Sequence, residues 1–426
     1  MSEKVFNQVV IDENWQTPGL TILILSWEYP PNVVGGLSRH VSGLAIHLAR
    51  IGFNVHVITA GNGDLPQYEK IYNVNVHRVK PLNEQDSHFF SWIGGLNLAM
   101  VQKATELKFD LIHVHDWLVG VAGIVLKETF VCPLLTTIHA TEHGRNNGIH
   151  NEIQRFIHQK EQQLMGESDQ IIVCSKYMKS ELISVFKVRE EKIVIIPNGI
   201  EEKKAIIKSE KVFSDWEDKK IIFSIGRIVE EKGFKTIINT ASLVKEKGLN
   251  IFFVIAGKGP MLERYRNEVN RRKLSDHLAF IGYISDEEKN SYILQSDITV
   301  FPSLYEPFGI VALESMILGK PTIVSNVGGL KSIIGHMDSG LLMAPGDAKS
   351  LLEQIIFLLD NPEKAKDIGF QGKKVVRALY GWKRVASETK RTIEDMLINN
   401  RINNQEIIEQ IKGEYLKGGV MNDGIN

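Results

Sequence analysis

Short apolar runs alternate with amphipathic segments along most of this chain of 426 residues. Runs such as TILILS, NVHVIT, LIHVH and IIVCS, and later IIFSIG, IFFVIAG and TIVS, have the length and the β-branched content of buried strands. Helical stretches separate several of them, including 36–51, 94–107 and 151–166. Parallel strands need such crossovers, so the alternation predicts an α/β fold with parallel, doubly wound sheets.

Size and composition narrow the class of protein. The chain is long enough for two domains, and its 43% apolar and 24% charged residues are ordinary for a globular protein. A net charge of −1 gives no general attraction to nucleic acid or to an anionic membrane. We see no signal peptide and no apolar run long enough to span a membrane, so we expect a cytoplasmic protein without an integral membrane segment. Cys132 and Cys174 are expected to be buried free thiols.

The stretch 301–329, FPSLYEPFGIVALESMILGKPTIVSNVGG, contains two carboxylates eight positions apart. Pro307 disfavours helix at Glu306, which should lie in an extended turn after a strand. An apolar helix is predicted from about 308 to 318, and its first N–H groups would favour an anion such as a diphosphate. Glu314 leans back toward the same end and suits the vicinal hydroxyls of a ribose. The alternative is a structural turn followed by a core helix whose one Glu reaches the surface.

The segment Glu306-Pro-Phe-Gly-Ile-Val-Ala-Leu-Glu314 resembles the E-x7-E motif of retaining nucleotide-sugar glycosyltransferases with two facing Rossmann-like domains, the GT-B fold. It is most similar to glycosyltransferase family 4, near the bacterial glycogen and starch synthases. The resemblance covers roughly 21–391 and implies that Glu306 lies closest to the transferred sugar, as a nucleophile or as a group that positions the sugar. It also implies a set of donor-binding positions in this segment: Phe308, Gly309, Ile310 and Glu314.

Loops after strands in the first half match further motifs of this family. In WEYPPNVVGGL, the pair Gly35 and Gly36 opens a helix whose bare N–H groups are expected near the donor phosphate and sugar. Asp116, in the HDW segment, resembles the residue near the sugar and the acceptor. His139 matches the family's TIH position, which meets the donor sugar. We group Glu306, His139 and Asp116 as the expected catalytic residues.

Two charged positions after the first strand of the second half resemble the cations that hold the donor diphosphate. They are Arg227 and Lys232 in GRIVEEKG. A guanidinium fork and an ammonium point charge both suit phosphate oxygens. A solvated surface loop is the alternative, which the position at a strand's carboxyl end disfavours.

The sequence does not predict a metal site or a resident cofactor. His113 and His115 share one face of a strand, but no further His or Cys completes a recognisable ligand spacing nearby, and the chain has no Asp-x-Asp. The resemblance therefore implies a metal-independent transfer, with UDP- or ADP-glucose as a co-substrate. His143 and Arg145 are candidates for the acceptor side.

The expected domain organisation follows the two rounds of alternation. We predict an N-terminal extension (1–19), an acceptor domain (20–208) and a nucleotide-sugar domain (209–380), with the boundary near 205–215. A crossing helix and a C-terminal helix (381–416), which return to the first domain, and a flexible tail (417–426) should follow.

The expected function is transfer of a hexose, glucose by preference, to a carbohydrate acceptor such as an α-1,4-glucan. Val33 stands where ADP-glucose synthases of this family have Lys, which favours UDP-glucose slightly. The alternatives are a family 4 transferase that acts on a small sugar phosphate, a lipid or a cell-wall acceptor, a sugar-nucleotide epimerase, and a non-catalytic sugar-nucleotide-binding protein. The intact set of Arg227, Lys232, Glu306 and Glu314 argues against the last.

Overall fold

The computed structural model of the chain describes residues 19–61, 63–82, 88–201 and 212–418, with only the helical backbone for 401–418. The extension predicted at 1–19, most of the boundary predicted near 205–215 and most of the tail predicted at 417–426 lie outside these residues. The described parts form two β-sheets with helices on both faces.

The first sheet has eight strands and is built from the first half of the chain. Its elements are β1 (Thr21–Leu25), α1 (Gly36–Arg50), β2 (Asn54–Ala60), β3 (Tyr68–Ile71), β4 (Val74–Val79), α2 (Phe89–Ala104), β5 (Leu111–His115), α3 (Gly120–Phe130), β6 (Leu134–Ile138), α4 (Glu142–Asn146), α5 (Glu152–Glu167), β7 (Gln170–Val173), α6 (Lys176–Phe186) and β8 (Ile193–Ile195). The strand order is β3-β4-β2-β1-β5-β6-β7-β8.

The second sheet has six strands, all paired in parallel. Its elements are β9 (Lys220–Ile225), α7 (Phe234–Glu246), β10 (Ile251–Ala256), α8 (Leu262–Arg271), β11 (Leu278–Gly282), α9 (Asp286–Gln295), β12 (Ile298–Phe301), α10 (Ile310–Ile317), β13 (Thr322–Ser325), α11 (Leu330–Ile333) and β14 (Leu341–Met343). The order β11-β10-β9-β12-β13-β14 repeats the doubly wound pattern, as the alternation predicted.

The first sheet departs from the prediction at its edge. β3 pairs with β4 in an antiparallel register, and the sequence analysis did not identify this strand. Its residues YEKI alternate between exposed and half-buried positions, so no apolar run marks them. The other pairs in this sheet are parallel.

Helix α10 begins later than predicted. Gly309 has φ 107°, a left-handed conformation that cannot continue a right-handed helix, so the first helical residue is Ile310 and not Phe308. The end of the helix agrees with the prediction: Ile317 is its last residue, and Gly319 follows with φ 78°. Glu306 lies in the turn before the helix, also as predicted.

Three helices follow the second sheet: α12 (Ala348–Asp360), α13 (Pro362–Leu379) and α14 (Trp382–Gly418). The prediction of a crossing helix is confirmed, because Trp382, Val385 and Ile393 of α14 are buried in the core of the first sheet, against strands and α1. α14 is continuous where we expected two helices. In the described parts of the chain, no helix combines the length and apolarity needed to cross a membrane.

Candidate functional site

The turn at 302–309 reaches from the second sheet to the carboxyl ends of the first. The Ser175 hydroxyl, just after β7, donates a hydrogen bond of 2.7 Å to the carbonyl oxygen of Pro307. The Tyr305 ring lies against Gly144, where a Cβ would come within 2.4 Å of its hydroxyl oxygen. Phe301 and Phe308 share one apolar core with Ile138 and Val173 of the first sheet. The two sheets therefore meet at the ends where doubly wound folds bind ligands.

Glu306 is held on both its side chain and its backbone. Its carboxylate accepts a hydrogen bond of 2.6 Å from Lys232 Nζ and one of 3.3 Å from the Ser303 hydroxyl. The backbone N–H of Gly329 donates to its carbonyl oxygen at 2.8 Å, and a Cβ on Gly328 would lie 2.1 Å from that same oxygen. This backbone contact explains the Gly-Gly pair after β13, and the Glu306 side chain is only 10% exposed.

The two predicted phosphate cations each contact a carboxylate. Lys232 binds Glu306, whereas the Arg227 guanidinium forms an ion pair of 3.0 Å with Glu231 on the same loop. The Arg227 side chain is about half exposed, at 51%, and is therefore accessible to a ligand. An incoming diphosphate would compete for both cations.

Glu314 lies on α10 with its two carboxylate oxygens in different surroundings. Oε1 accepts hydrogen bonds from Arg39 of α1 at 2.8 Å and from Lys289 of α9 at 2.7 Å. Oε2 is buried and has no hydrogen-bond partner among the described residues. A buried carboxylate oxygen without a donor is an unfilled acceptor position, which is what a ribose hydroxyl would occupy.

The positions predicted to bind donor at the start of α10, Phe308, Gly309 and Ile310, pack against other parts of the protein. The Phe308 ring is buried against Tyr380, with 5.8 Å between ring centroids. A Cβ on Gly309 would lie 2.4 Å from Leu330 Cδ2, so glycine is required there by packing and by its positive φ. Ile310 contacts Gly36 of α1, where a Cβ would meet its Cδ1 at 3.1 Å.

The glycine loop before α1 differs from the prediction in one respect. We expected bare N–H groups, but Glu28 Oε2 accepts hydrogen bonds from the N–H of Val34 at 2.6 Å and of Gly35 at 3.1 Å. Glu28 is 3% exposed, and burial raises the pKa of its carboxyl above the ordinary value. Glu28 therefore fixes the loop internally, and the N–H of Gly35 is already occupied.

Asp116 and His139 are brought together at adjacent strand ends. Asp116 Oδ1 accepts a hydrogen bond of 2.7 Å from the backbone N–H of His139. Burial raises the pKa of Asp116 to about 6, against the lowering effect of the Arg145 charge. Asp116 also has φ 59°, a left-handed conformation that costs a non-glycine residue about 1–3 kcal/mol. Such strain is typical of residues held for function.

Three histidines form a cluster at this position, two of them buried and His139 half-buried. His40 of α1, His115 of β5 and His139 have ring nitrogens within 4.8 Å of one another. His115 Nδ1 and His139 Nε2 are 3.0 Å apart, and burial lowers the pKa of all three, to about 3 for His139. Both rings of the pair are therefore neutral, and one donates to the other.

The cluster corrects one step of the sequence analysis. The statement that no further histidine completes a set near His113 and His115 is wrong, because the fold brings in His40 from α1. His113 itself is not a member, since its Nε2 lies 2.8 Å from the Thr137 hydroxyl oxygen. Three neutral imidazoles can bind a metal ion. Without a metal, His115 alone orients the His139 ring, because neither ring nitrogen of His40 has a hydrogen-bond partner among the described residues.

Ionisable groups surround the Asp116 end of the site, where the sequence analysis expected the acceptor. Arg145, on the short helix α4, is exposed, and its charge acts on Asp116 and His139. Glu161 of α5 is 1% exposed, and burial raises the pKa of its carboxyl to about 8. His143 is half-buried beside His158, with 6.5 Å between ring centroids.

Cys132 and Cys174 are buried free thiols, as predicted.

Sequence reasoning missed several residues that the structure places at the site. They are Glu28, Arg39, His40, Glu161, Ser175 and Lys289. Of these residues, only Glu28 could have been suspected from the sequence, because it lies within the segment WEYPPNVVGGL that contains the glycine pair. The others belong to helices or strand ends whose positions relative to Glu306 depend on the tertiary fold.

Comparison with known proteins matches the chain in two parts. Residues 34–204 match the domain family described as Glycosyltransferase Family 4, and residues 206–375 match Glycosyl transferases group 1. An uncharacterised glycosyltransferase of Methanocaldococcus jannaschii is 36% identical over 384 residues, covering 87% of this chain and 97% of that protein. The glycogen synthase of Mycobacterium tuberculosis is 30% identical over 389 residues, covering 87% and 93%.

The fold has a close match among solved structures. Sucrose-phosphate synthase from Thermosynechococcus elongatus superimposes with a TM-score of 0.77 at 24% sequence identity, covering 89% of this chain and all of that one. The predicted GT-B fold of two facing parallel-sheet domains is confirmed.

Proposed function

The chain belongs to glycosyltransferase family 4, and we propose that it transfers glucose from UDP- or ADP-glucose to a carbohydrate acceptor with retention of the α-configuration. The observation that carries the proposal is the arrangement at the start of α10. The Glu306–Lys232 pair lies before the helix, and Glu314 follows on it with Oε2 free. In a bound nucleotide-sugar, the sugar would lie at Glu306, the diphosphate at Lys232 and the ribose at Glu314.

The leaving nucleoside diphosphate develops negative charge as the glycosidic bond breaks. Lys232 and Arg227 offer fixed positive charge to the diphosphate, and the free N–H groups at the start of α10 add partial charge. Transfer of Lys232 from Glu306 to the diphosphate would leave the Glu306 carboxylate available to the sugar. Glu306 then either attacks the anomeric carbon or holds the sugar while the acceptor attacks the same face.

The first domain would supply the other side of the sugar. His139 projects from the end of β6, and His115 fixes its ring by the 3.0 Å hydrogen bond. Asp116 binds the backbone of His139, and we propose that its carboxyl group faces the acceptor. Because Lys232 and Arg227 already offer two positive charges to the diphosphate, we propose that the transfer needs no metal ion.

For the acceptor we propose an α-1,4-glucan or maltooligosaccharide. The support is the 30% identity to a glycogen synthase over nearly the whole chain, together with the HDW, TIH and E-x7-E segments. Val33, in place of the Lys of ADP-glucose synthases, favours UDP-glucose slightly.

One observation favours a second candidate, a small phosphorylated sugar as acceptor. Among the described residues, Arg145 has no carboxylate within ion-pair distance, and it lies near Asp116 where the acceptor is expected. An exposed, unpaired guanidinium suits a phosphate. A neutral glucan has no anionic group for that guanidinium to bind.

The test combines donors and acceptors in one panel. The protein is incubated with UDP-, ADP- and GDP-glucose, each with maltoheptaose, with glucose 1-phosphate or with no acceptor, and released nucleotide is measured. We expect release with UDP- or ADP-glucose that depends on maltoheptaose, and a product that an α-1,4-specific amylase digests. Release that depends on glucose 1-phosphate, and falls in Arg145→Gln, would select the second candidate. Acceptor-independent conversion of the donor would contradict both.

A further inference from the structure

Four charged side chains form one network across the cleft between the two sheets, called here the cross-cleft network. Its members are Arg39 of α1, Asp286 and Lys289 of α9, and Glu314 of α10. Arg39 Nη1 is 2.8 Å from Glu314 Oε1, and its Nη2 is 2.5 Å from Asp286 Oδ1. Lys289 Nζ contacts the same two oxygens, at 2.7 Å and 3.1 Å.

Arg39 is the one member that comes from the first domain. Its planar guanidinium binds two carboxylates of the second domain with different nitrogens, Nη1 to Glu314 and Nη2 to Asp286. The start of α1 also touches the start of α10, through Gly36 and Ile310. The side chain therefore joins the domains at the place where the nucleotide is expected.

The network fixes the orientation of Glu314. Both cations bind Oε1, and Oε2 is left buried without a donor among the described residues. The Lys289 and Glu314 side chains are only 7% and 16% exposed, so their charges are weakly screened. A carboxylate held in this way presents one defined acceptor atom to a ligand.

We propose that Arg39 is a positioning residue for the nucleotide donor, which acts through Glu314 and holds the two domains closed around it. With two cations and two carboxylates, the cross-cleft network is neutral. Loss of Arg39 would leave a net charge of −1 beside an anionic diphosphate, free Glu314 to rotate and remove the link to α1. All three effects weaken donor binding. The identity of the ligand rests on the proposed function, whereas the link between the domains does not.

The experiment compares Arg39→Met and Arg39→Lys with Arg50→Met as the matched control. Arg50 is the exposed last residue of the same helix, and its guanidinium lies 2.8 Å from His47 Nε2. UDP and ADP affinities are measured by calorimetry, and KM for the donor and kcat are measured separately. Small-angle scattering of the free proteins is recorded at roughly 0.05 and 0.5 M salt, where screening lengths differ severalfold.

We expect Arg39→Met to raise Kd for the nucleotide and KM for the donor about tenfold, as loss of a half-buried charge pair does, while kcat changes less. Arg39→Lys should recover part of the affinity, and Arg50→Met should behave like the wild type. In scattering, Arg39→Met should be more extended than the wild type at low salt, and high salt should extend only the wild type.

The inference is overturned if Arg39→Met binds nucleotide as tightly as the wild type, if Arg50→Met weakens binding equally, or if the loss is accompanied by a large fall in Tm. A wild type that binds neither nucleotide would contradict the proposed function. The scattering comparison then still decides on the domain link, because equal dimensions of wild type and Arg39→Met would exclude it.

Discussion

Lys232 and Glu306 illustrate how single residues at this site are held ready for a ligand. The ammonium group neutralises a carboxylate whose side chain is only 10% exposed, and which would otherwise be costly to keep ionised. The Lys232 side chain is 26% exposed, so its ammonium group can turn toward another anion. Ser303 keeps a second contact to the carboxylate when Lys232 moves away. The pair is therefore stable without ligand and separable by a diphosphate.

Replacement of Glu306 by Gln separates a chemical role from a structural one. The amide keeps the shape and removes the charge, so we expect turnover to fall by about 10²–10³-fold or more, the usual effect of losing one charge that acts in the transition state. Stability should change by only about 1 kcal/mol, because Lys232 can be solvated. Turnover and Tm are measured together, with Glu230→Gln, exposed on the neighbouring loop, as the control. A large loss of Tm would assign Glu306 to the fold.

Glu161 offers a test of the site's electrostatics through pH. Burial raises its pKa to about 8, so between about pH 4.5 and 8 the folded protein binds more protons than the unfolded chain. Folding stability should therefore fall as pH rises through this window, by at most about 1.4 kcal/mol per pH unit. Glu161→Gln cannot lose a proton and should show less of this fall.

The measurement is urea unfolding of wild type and Glu161→Gln at intervals from pH 5 to 8. Glu152→Gln, at a position whose side chain is 84% exposed on the same helix α5, should follow the wild type at every pH. A constant difference between wild type and Glu161→Gln across the range would show that the carboxyl does not titrate there.

At the scale of elements, the sequence predicts strands and strand-end loops much better than it predicts which elements pack against them. Every strand of the second sheet was marked by an apolar run, because a parallel strand covered on both faces contains few polar residues. β3 was missed because half its surface faces solvent. α2 begins at Phe89 instead of 94, since Gly94 and Gly95 lie inside the helix and not at its start.

Contacts between distant elements could not be read from the sequence. Arg39 meets Glu314 from 275 positions away, and Ser175 meets Pro307 from 132 positions away. No local pattern encodes such a meeting, because it depends on how the two sheets face each other. The family motifs indicated Glu306, Glu314, Asp116 and His139, and the fold then supplied their partners.

The docking of α14 depends on two glycines. A Cβ on Gly43 of α1 would lie 2.1 Å from the Trp382 ring, and one on Gly199 would lie 2.3 Å from it. We therefore expect Gly43→Ala to destabilise the protein by about 1–3 kcal/mol through overpacking. Gly94→Ala, within α2 and with no atom near its Cβ, should instead be neutral or stabilise by up to about 1 kcal/mol.

Thermal or urea unfolding of both variants checks this contrast. Trp382 also lies on His40, with 5.7 Å between ring centroids, and His40 lies on His139. A shifted Trp382 should therefore lower turnover in Gly43→Ala beyond the loss of stability. Equal Tm values for Gly43→Ala and Gly94→Ala would exclude tight packing of the Trp382 ring against Gly43.

For the whole molecule, the chain crosses between the domains at two places that are bonded to each other. The N–H of Ile200 donates to the carbonyl oxygen of Tyr380 at 2.7 Å, and Ile200 pairs with Gly381 as an isolated bridge. Trp382 follows directly and anchors the return in the first domain. The described ends of both crossings thus lie close together, and Trp382 packs on Gly43 of α1, so we expect closure of the cleft to rotate the domains about this region.

A closed cleft can be locally positive although the net charge of the whole protein is only −1. Lys232 and Arg227 approach the expected diphosphate, while Arg39 neutralises the carboxylates of the cross-cleft network from the other domain. Low solvent access strengthens these interactions, so side chains can do what a divalent ion does in other transferases.

We therefore expect turnover to stay within about twofold after treatment with EDTA or 1,10-phenanthroline and dialysis, with a metal-dependent transferase treated in parallel. The metal content of the same sample is measured, because zinc held by His40, His115 and His139 would be detected there. Loss of turnover that Mn²⁺ or Mg²⁺ restores would contradict a metal-independent transfer, whereas stoichiometric zinc with unchanged turnover after its removal would place the metal outside the chemistry.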